Sequence, residues 1–315
     1  MQIKQITILG GSGFVGSHIT HRLSNAGYSI KVLTRRREVN RHLLLLPNVQ
    51  VVECNVLDDA ALESEIKGAD AVINLIGVLH DARKQGFDAL HIELPRRVAH
   101  FCSKLGVARL LHMSALQANA SAPSAYLRSK AAGEAAVLAY GDQLHISVFR
   151  PSVIFGREDH FLNLFATLVK WLPLVFLAKP EARFQPVFVD DVARAFVLGL
   201  ENSGTFGQCY ELGGPQVYTL RALVQYVADV LGRKRLIIGL NDRLSYLQAY
   251  FMEFSPLKLL SRDNIKSMQV DNVCAGAFPA EFGFQPTPLE AVVPEYLAGD
   301  NPRLVYDRLR RRAGR

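Results

Sequence analysis

The sequence predicts an α/β fold with a doubly wound parallel sheet, and three observations near its start support this. The apolar run at residues 6–9 is typical of a buried strand. It breaks into a glycine-rich turn at 10–16, and apolar side chains then recur at helical spacing until Gly27 can end the helix. A second apolar run at 30–33 follows, so the chain opens on a strand–helix–strand unit.

The same alternation continues along the chain. The segments predicted next are strand 49–53, helix 59–67, strand 70–76, helix 87–105 with a restart at Pro95, strand 109–113, helix 125–140 and strand 146–149. Beyond Pro151 the loops lengthen, and helices are predicted near 162–171, 191–200 and 220–231. This order predicts a Rossmann-type sheet with helices on both faces, followed by a smaller C-terminal region.

The glycines of the opening turn have the spacing that binding a pyrophosphate requires. Gly10 permits a sharp turn, Gly13 lets the backbone approach a phosphate, and Gly16 lets the helix pack closely on its strand. Glycine turns also join strands to helices in proteins that bind nothing, but here the flanking strand and helix favour a ligand. The predicted dinucleotide-binding residues of this turn are Gly10, Gly11, Ser12, Gly13, Phe14, Val15 and Gly16.

The end of the second strand favours NADP(H) over NAD(H). An NAD site usually carries Asp or Glu there for the ribose 2′-hydroxyl, but this chain has Thr34, Arg35 and Arg36. Without a carboxylate, nothing repels a 2′-phosphate, and the planar guanidinium of Arg35 or Arg36 can hold it. The alternative is that these arginines form a solvated basic turn.

Candidate catalytic residues lie on the helix predicted at 125–140. Tyr126 and Lys130 are four residues apart, so they share one helix face. A cation at that distance is expected to lower the pKa of the phenol, which can then exchange a proton with a carbonyl or alcohol while a hydride moves. Ser114, at the end of the preceding strand, is expected to orient the substrate oxygen. The alternative is that Tyr126 and Lys130 have no catalytic role.

Composition describes a globular chain of 315 residues, 49% hydrophobic and 21% charged. The cysteines show no paired spacing and the nine histidines no ligand spacing, so we expect neither disulfides nor a metal site. A strand beginning near Met1 leaves no room for a targeting peptide, which predicts a cytoplasmic protein. The net charge of +7 is concentrated in the basic tail at 301–315, which is either a solvated terminus or a contact for anionic lipid or an acidic partner.

The predicted domains are a dinucleotide-binding domain at 1–155, a substrate-pocket region at 156–300 and the tail at 301–315, with 184–202 packing back on the first domain. The apolar stretch 161–178 contains Lys170 and Pro173, so it is predicted as core, pocket lid or interface and not as a membrane span. A later aromatic group is predicted as core, with the wall of a quinone or prenyl site as the alternative. Its members are Tyr246, Tyr250, Phe251 and Phe254.

These motifs together resemble the short-chain dehydrogenase/reductase superfamily over essentially the whole chain. The matching motifs are Gly10-x-x-Gly13-x-x-Gly16, Asn74-Leu75-Ile76-Gly77, Ser114 and Tyr126-x-x-x-Lys130. Segments 149–156 and 185–193 place the resemblance among the extended and atypical, NAD-dependent epimerase/dehydratase-like members. They are most similar to the branch of the nucleotide-binding accessory subunit of respiratory complex I, the alpha subcomplex subunit 9 type, and its bacterial relatives.

The resemblance implies further cofactor contacts. By position, Asn55 and Val56 lie by the adenine, although relatives usually carry Asp at the first of these. The residues implied along the rest of the cofactor are Asn74, Leu75, Gly77, Lys130, Pro151, Ser152 and Val153, the last three by the nicotinamide carboxamide. In this branch NADPH is generally bound, turnover is generally not established, and the implied roles are in complex I assembly or ubiquinone synthesis.

Three functions remain open from the sequence. The first is an NADP(H)-dependent oxidoreductase acting on a hydrophobic, quinone-like or prenylated small molecule. The second is a non-catalytic NADPH-binding structural or assembly factor for respiratory complex I or ubiquinone biosynthesis, with proteins of those systems as partners. The third is a nucleotide-sugar epimerase or dehydratase. No nucleic-acid motif is present, no segment predicts a membrane span, and peripheral contact with the inner face of a membrane is compatible with all three.

Overall fold

The structure is a computed structural model that describes residues 3–79, 86–254 and 259–298. The strands in these residues are β1 Gln5–Leu9, β2 Ser29–Thr34, β3 Val49–Glu53, β4 Ala71–Asn74, β5 Arg109–Met113, β6 His145–Pro151, β7 Ile154–Phe155, β8 Leu174–Leu177, β9 Arg183–Phe184, β10 Val187–Phe188, β11 Gln208–Leu212, β12 Tyr218–Thr219 and β13 Leu236–Gly239.

The α-helices of the same residues are α1 Phe14–Asn25, α2 Asp59–Ile66, α3 Leu94–Lys104, α4 Ala125–Leu138, α5 Phe161–Trp171, α6 Val189–Glu201, α7 Leu220–Val230, α8 Asp242–Met252, α9 Arg262–Ser267 and α10 Leu289–Leu297. Short 3-10 helices occupy Arg37–Leu45, Ser203–Thr205 and Ala280–Phe282, and a π-helix occupies Asp88–Glu93. Within the described residues, no helix combines the length and apolarity that crossing a membrane requires.

Seven strands form the central sheet in the order β11-β6-β5-β4-β1-β2-β3, and every neighbouring pair is parallel. The inner strands are largely buried because helices cover both faces of a parallel sheet, and β4 is buried completely. The strand order reverses direction between β1 and β4, where doubly wound folds bind their ligands. The predicted α/β, Rossmann-type fold is confirmed.

The chain divides into two compact units. The first contains the residues up to Pro151 together with Val189–Leu212 and Pro279–Phe284. Within it, α6 packs on α1, and Asp190 of α6 accepts hydrogen bonds from Arg22 of α1, with 2.7 Å between Nε and Oδ1. The second unit contains Ser152–Phe188, Gly213–Phe278 and the chain from Gln285 on. The domain limits at 155 and 300 stay a prediction, and the basic tail lies outside the described residues.

The second unit has its own apolar core between α5, α7 and α10. Its largest buried side chains include Phe155, Leu162 and Leu223. Pairs of short strands, β8 with β13 among them, lie around this core. The predicted helices near 162–171 and 220–231 correspond to α5 and α7, which place their apolar residues inward at helical spacing.

Candidate functional site

The predicted cofactor residues of the first unit collect along one edge of the central sheet. Because the strands are parallel, their carboxyl ends meet at the same edge. Gly10, Thr34 and Asn74 lie at the ends of β1, β2 and β4, while Asn55 and Ser114 follow β3 and β5. Residues that are far apart in the sequence therefore lie at the same edge of the sheet.

The glycine turn forms a tight cradle at the start of α1. Gly10 has a φ of +78° and its carbonyl oxygen accepts a hydrogen bond from the Gly13 amide at 3.0 Å. A Cβ at Gly16 would lie 2.1 Å from that oxygen and 2.6 Å from the Gly11 Cα, so a side chain cannot be placed there. Gly13 is the N-cap residue and supplies no side-chain cap, and no acidic residue lies in the first turn. The cradle fits an anionic pyrophosphate.

The other residues of the glycine turn hold its backbone conformation through contacts with the strands and with α1. Val15 is buried, Gly11 lies against Val32, and the Ser12 hydroxyl is 3.3 Å from the Thr34 hydroxyl. Phe14 lies edge-on to a histidine one turn along the helix. Side chains therefore fix the turn, and its backbone N–H groups are what a phosphate would meet.

The loop after β2 is rich in arginine, and its nearest acids already have partners: Glu38 pairs with Arg41, and the Glu53 carboxylate accepts a hydrogen bond from the Arg37 backbone. Thr34 is buried, and its hydroxyl accepts hydrogen bonds from the Asn40 amide at 3.1 Å and from the Arg36 backbone at 3.4 Å. Arg35 and Arg36 are exposed, and no described carboxylate forms an ion pair with either. Exposed guanidinium groups at this position are able to hold a phosphate.

The adenine-side residues form a local turn. Asn55 is exposed, and its side-chain oxygen accepts a hydrogen bond from the Leu57 amide at 3.2 Å. Val56 is buried beneath it, and Asp58 caps α2. Because a carbonyl oxygen has two lone pairs, Asn55 keeps one acceptor position for an adenine amino group.

The Asn74 side chain is fixed by a hydrogen bond from the backbone of the loop that follows β4. Its side-chain oxygen accepts a hydrogen bond from the Ile76 amide at 3.2 Å, which leaves its amide nitrogen facing His112 Nδ1 at 3.4 Å. The Leu75 amide donates to the Leu9 carbonyl at 3.0 Å, so the loop stays beside β1. His112 is buried and its pKa is lowered to about 3, mainly by burial. It therefore accepts through Nδ1 as a neutral ring.

Lys130 connects α4 to the sheet edge next to Ser114. It is buried, and its ammonium group donates a hydrogen bond to the Met113 carbonyl at 3.0 Å. A Cβ built at Gly77 would lie 3.1 Å from that nitrogen, so the predicted cofactor loop and Lys130 are in contact. The Ser114 side chain is 3% exposed, and its hydroxyl finds no hydrogen-bond partner in the described residues. A buried hydroxyl without a partner is uncommon in folded proteins.

The expected lowering of the Tyr126 pKa is wrong. Tyr126 is half-buried, and burial raises its pKa to about 12. Burial also lowers the pKa of Lys130 to about 8. Desolvation sets both pKa values, and the phenol is therefore protonated near neutral pH.

His91, which no sequence motif indicates, contacts both the cofactor loop and α4. Its Nε2 accepts a hydrogen bond from the Val78 amide at 2.9 Å, and its Nδ1 donates to Ser129 at 2.9 Å. Its ring lies edge-on to Tyr126 with centroids 5.6 Å apart. Burial lowers its pKa to about 3, so the ring stays neutral. The π-helix that carries His91 has no signature we could recognise in the sequence.

Gly133 explains how the π-helix approaches α4. A Cβ there would lie 1.7 Å from the His91 carbonyl oxygen. Only glycine lets the two helices come this close, and the approach places His91 beside Tyr126. A glycine inside a predicted helix was the one signal that could have indicated close packing.

These two histidines predict acid sensitivity. An unfolded histidine titrates near pH 6.5, whereas His91 and His112 stay neutral to about pH 3, so the unfolded chain binds more protons in between. The contribution of these two histidines to the free energy of unfolding is therefore fully present above pH 6.5 and is lost as the pH falls. Between about pH 5.5 and 4, the pair lowers the free energy of unfolding by about 2.7 kcal/mol for each pH unit. Urea unfolding across this range measures the slope.

The variant His91→Gln tests whether His91 causes half of this pH dependence of the free energy of unfolding. His91→Gln keeps an acceptor for Val78 but does not titrate, so we expect the slope to fall by about 1.4 kcal/mol per pH unit. His100→Gln is the matched control, because His100 is exposed on the next helix. An unchanged slope in His91→Gln would contradict the neutral buried state.

The residues implied at the nicotinamide carboxamide fall in both units. Pro151 ends β6, and its carbonyl accepts a hydrogen bond from the Leu116 amide at 3.0 Å within the first unit. Ser152 and Val153 belong to the second unit, where the Ser152 hydroxyl and the Val153 amide both donate to the Asn272 side-chain oxygen, at 2.5 and 3.1 Å. Their cofactor role stays a prediction.

The apolar segments of the second unit match the sequence expectation only in part, since Leu162, Val169 and Val175 lie in the core while other apolar side chains are exposed. Trp171 and Phe176, in the stretch predicted as core or lid, are 81% and 52% exposed. The aromatic group Tyr246, Tyr250, Phe251 and Phe254 is also exposed, so its prediction as core is wrong. In α8 the buried residues are Ser245 and Ala249 instead. Among the described residues, no group of three or more His, Cys, Asp or Glu side chains could hold a metal ion.

The fold and the edge of its sheet define a Rossmann-type α/β protein. The model of the NAD dependent epimerase/dehydratase family matches residues 6–213, and the chain belongs to that family. The resemblance to the extended short-chain dehydrogenase/reductase proteins is thus confirmed.

Two of the relatives differ in the kind of protein that their names describe. The chain is 30% identical over 296 residues to the NADH dehydrogenase [ubiquinone] 1 alpha subcomplex subunit 9 of Rattus norvegicus. The matched region covers 90% of this chain and 77% of the relative. It is 29% identical over 245 residues to the ceramide reductase of Caulobacter vibrioides, covering 75% of this chain and 74% of the relative. The first is a mitochondrial complex subunit by name and the second a reductase.

Solved structures share the fold. The dTDP-glucose 4,6-dehydratase DesIV from Streptomyces venezuelae, with NAD bound, has a TM-score of 0.74 at 20% identity and covers 93% of this chain and 95% of that one. MoeE5 in complex with UDP-glucose and NAD has a TM-score of 0.72 at 16% identity, covering 97% and 99%. At these identities the likeness concerns the fold.

Proposed function

We propose that this protein is an NADP(H)-dependent reductase of a carbonyl or quinone group on a hydrophobic small molecule. One observation carries the proposal: the buried Ser114 hydroxyl has no partner in the described residues and lies one residue from the carbonyl that holds Lys130. A buried hydroxyl without a partner is unfavourable unless a ligand completes it.

The protonation states suit reduction. The bound nicotinamide supplies a hydride. Ser114 donates a hydrogen bond to the substrate oxygen and orients it. Tyr126, neutral because its pKa is about 12, gives its proton to that oxygen as negative charge develops. Lys130, one helix turn along α4 from Tyr126, is the cation assigned to stabilise the resulting phenolate.

The loop after β2 supports a preference for NADP(H). Arg35 and Arg36 are exposed at the end of the second strand, and a guanidinium holds a phosphate through two parallel N–H groups. Thr34 carries no charge to oppose this. We therefore assign the 2′-phosphate to these two arginines.

Removing both arginines tests this assignment. In the double variant Arg35→Ala, Arg36→Ala we expect the Kd for NADPH to rise about 10- to 100-fold, because a hydrogen bond to a charged group contributes about 1.5–3 kcal/mol. The Kd for NADH should stay within about twofold. Isothermal titration measures both. Arg41→Ala is the matched control, since Arg41 is exposed nearby but pairs with Glu38. Equal losses for both nucleotides would contradict the assignment.

Similarity to the ceramide reductase supports a long-chain substrate. Similarity to the complex I subunit supports a quinone, and proteins of a respiratory or quinone-making assembly as partners. A cytoplasmic protein in peripheral contact with the membrane would meet either substrate. The solved structures of nucleotide-sugar enzymes are 16% and 20% identical to this chain, and at that identity they support the fold and not the substrate.

The second candidate is a non-catalytic NADPH-binding subunit or assembly factor. It is favoured by the similarity to the complex I subunit, which extends over 90% of the chain. In that case Tyr126 and Lys130 would hold the nucleotide without turnover.

One experiment separates the candidates. The nucleotide released from purified protein is identified, and nicotinamide absorbance is then followed with long-chain ketones and short-chain ubiquinone analogues. Oxidation of NADPH with stoichiometric product supports the reductase. Tightly held NADPH that no acceptor oxidises supports the structural subunit, and failure to bind either nicotinamide nucleotide would overturn both.

A further inference from the structure

The second unit presents a continuous exposed apolar surface, here called the apolar face. It is formed by the end of α5, the strands β8 and β13, and α8. Its members are Trp171, Leu172, Phe176, Leu236, Leu244 and Phe251, all of them exposed. Single exposed apolar residues are ordinary, but a contiguous group of this kind marks an interaction site.

Contacts within the unit show that these elements adjoin. β8 and β13 pair in parallel, with Leu236 opposite Leu174 and Ile238 opposite Phe176. Val175 and Leu177 are buried, so the alternate residue Phe176 points outward. The Gln248 side chain of α8 donates a hydrogen bond to the Phe176 carbonyl at 3.1 Å.

Gln248 also sets the orientation of α8. Leu244 and Phe251 lie one turn to either side of it and therefore share its helix face. Arg235 Nε donates to the Val169 carbonyl at 2.7 Å, which brings β13 against the end of α5 next to Trp171. Strand and helix residues thus form one surface.

Unpaired positive charge borders the apolar face. The basic residues that flank it in the chain, all exposed, are Lys170, Arg233, Lys234 and Arg243. None of these forms an ion pair with a described residue. Two acids of these segments are paired, Asp242 with Lys179 at 2.8 Å and Glu253 with Arg262 at 2.9 Å, and the exposed Asp229 accepts a hydrogen bond from Gln225, which leaves four unpaired cations near one acid without a cation. The border therefore carries net positive charge.

We propose that the apolar face docks on the surface of an anionic lipid bilayer. Trp and Phe side chains favour the headgroup boundary, and unpaired Lys and Arg attract anionic headgroups. A symmetric second copy of the chain would bring the same unpaired cations together, and the repulsion disfavours that occupant. The inference is independent of the cofactor site and of the proposed activity.

The chain provides its own probe, because Trp171 is its single tryptophan. Vesicles of equal parts phosphatidylcholine and phosphatidylglycerol should shift its fluorescence to shorter wavelength, and brominated lipids in them should quench it. Vesicles of phosphatidylcholine alone should bind much more weakly, and added salt should release the protein. No shift and no co-sedimentation with the anionic vesicles would overturn the proposal.

Single substitutions test whether the apolar face is the surface that binds anionic vesicles. Co-sedimentation should weaken at least about tenfold in Trp171→Ala and about fivefold in each of Lys170→Ala and Lys234→Ala. The controls are Leu45→Ala and Lys67→Ala, exposed residues of the first unit, which should bind as wild type. Equal losses in the controls would overturn the assignment, as would a dimer that forms without lipid and is lost in Trp171→Ala. NADPH affinity, measured in parallel, separates this result from failure of the proposed function.

Discussion

Tyr126→Phe should lower the kcat of carbonyl reduction about 100- to 10,000-fold, because it removes the proton donor alone. The remaining ring keeps its edge contacts with Phe87 and His91, whose centroids lie 6.0 and 5.6 Å away. We therefore expect the Kd for NADPH and the free energy of unfolding to stay close to wild type. Single-turnover oxidation of bound NADPH measures the chemical step directly.

Tyr140→Phe is the matched control for this variant. Tyr140 follows the same helix, and its ring lies 6.4 Å from His100, away from the sheet edge. It should turn over like wild type. If Tyr126→Phe is as active as wild type, proton donation by Tyr126 is wrong. If wild type itself oxidises no NADPH, the structural subunit is the better explanation.

Gly16→Ala should abolish measurable NADPH binding, with a loss of more than about 100-fold, and destabilise the fold by about 3 kcal/mol. The new methyl group would lie 2.1 Å from the Gly10 carbonyl oxygen and 2.6 Å from the Gly11 Cα. Both are backbone atoms, so α1 must move away from the turn. Titration with NADPH and urea unfolding measure the two effects.

Gly13→Ala separates binding from folding. A Cβ there meets only the Gly10 oxygen, at 3.3 Å, but occupies the approach of a phosphate. We expect weaker NADPH binding with nearly normal stability. Gly276→Ala is the control, since nothing lies within 4 Å of a Cβ at that position. Normal NADPH binding in Gly16→Ala would contradict the placement of the pyrophosphate.

Local patterns predicted most of the first unit. Strands β3 and β5 were predicted at 49–53 and 109–113, the limits that the structure has. Two strands differed more, since β4 ends at Asn74 instead of 76 and β6 runs over His145–Pro151. Buried parallel strands are recognisable because they are apolar on both faces, but their last residues depend on hydrogen bonds to neighbours.

Burial in the second unit could not be predicted from the same patterns. The spacing of Tyr250 and Phe254 on a helix is compatible with a core face or an exposed face, and the structure exposes both. Ser245 and Ala249 are small, and they lie inward because α8 packs closely. Which side of a helix meets the core depends on the neighbouring elements.

The sequence by itself determined the parallel α/β fold, the glycine cradle and the positions of Ser114, Tyr126 and Lys130, because these follow from short motifs with fixed spacing. Only the tertiary structure decided the protonation states, the part played by His91, and the exposure of the apolar face. Desolvation and long-range contact set these properties: burial raises the pKa of Tyr126 to about 12, and His91 reaches Val78 from a different helix.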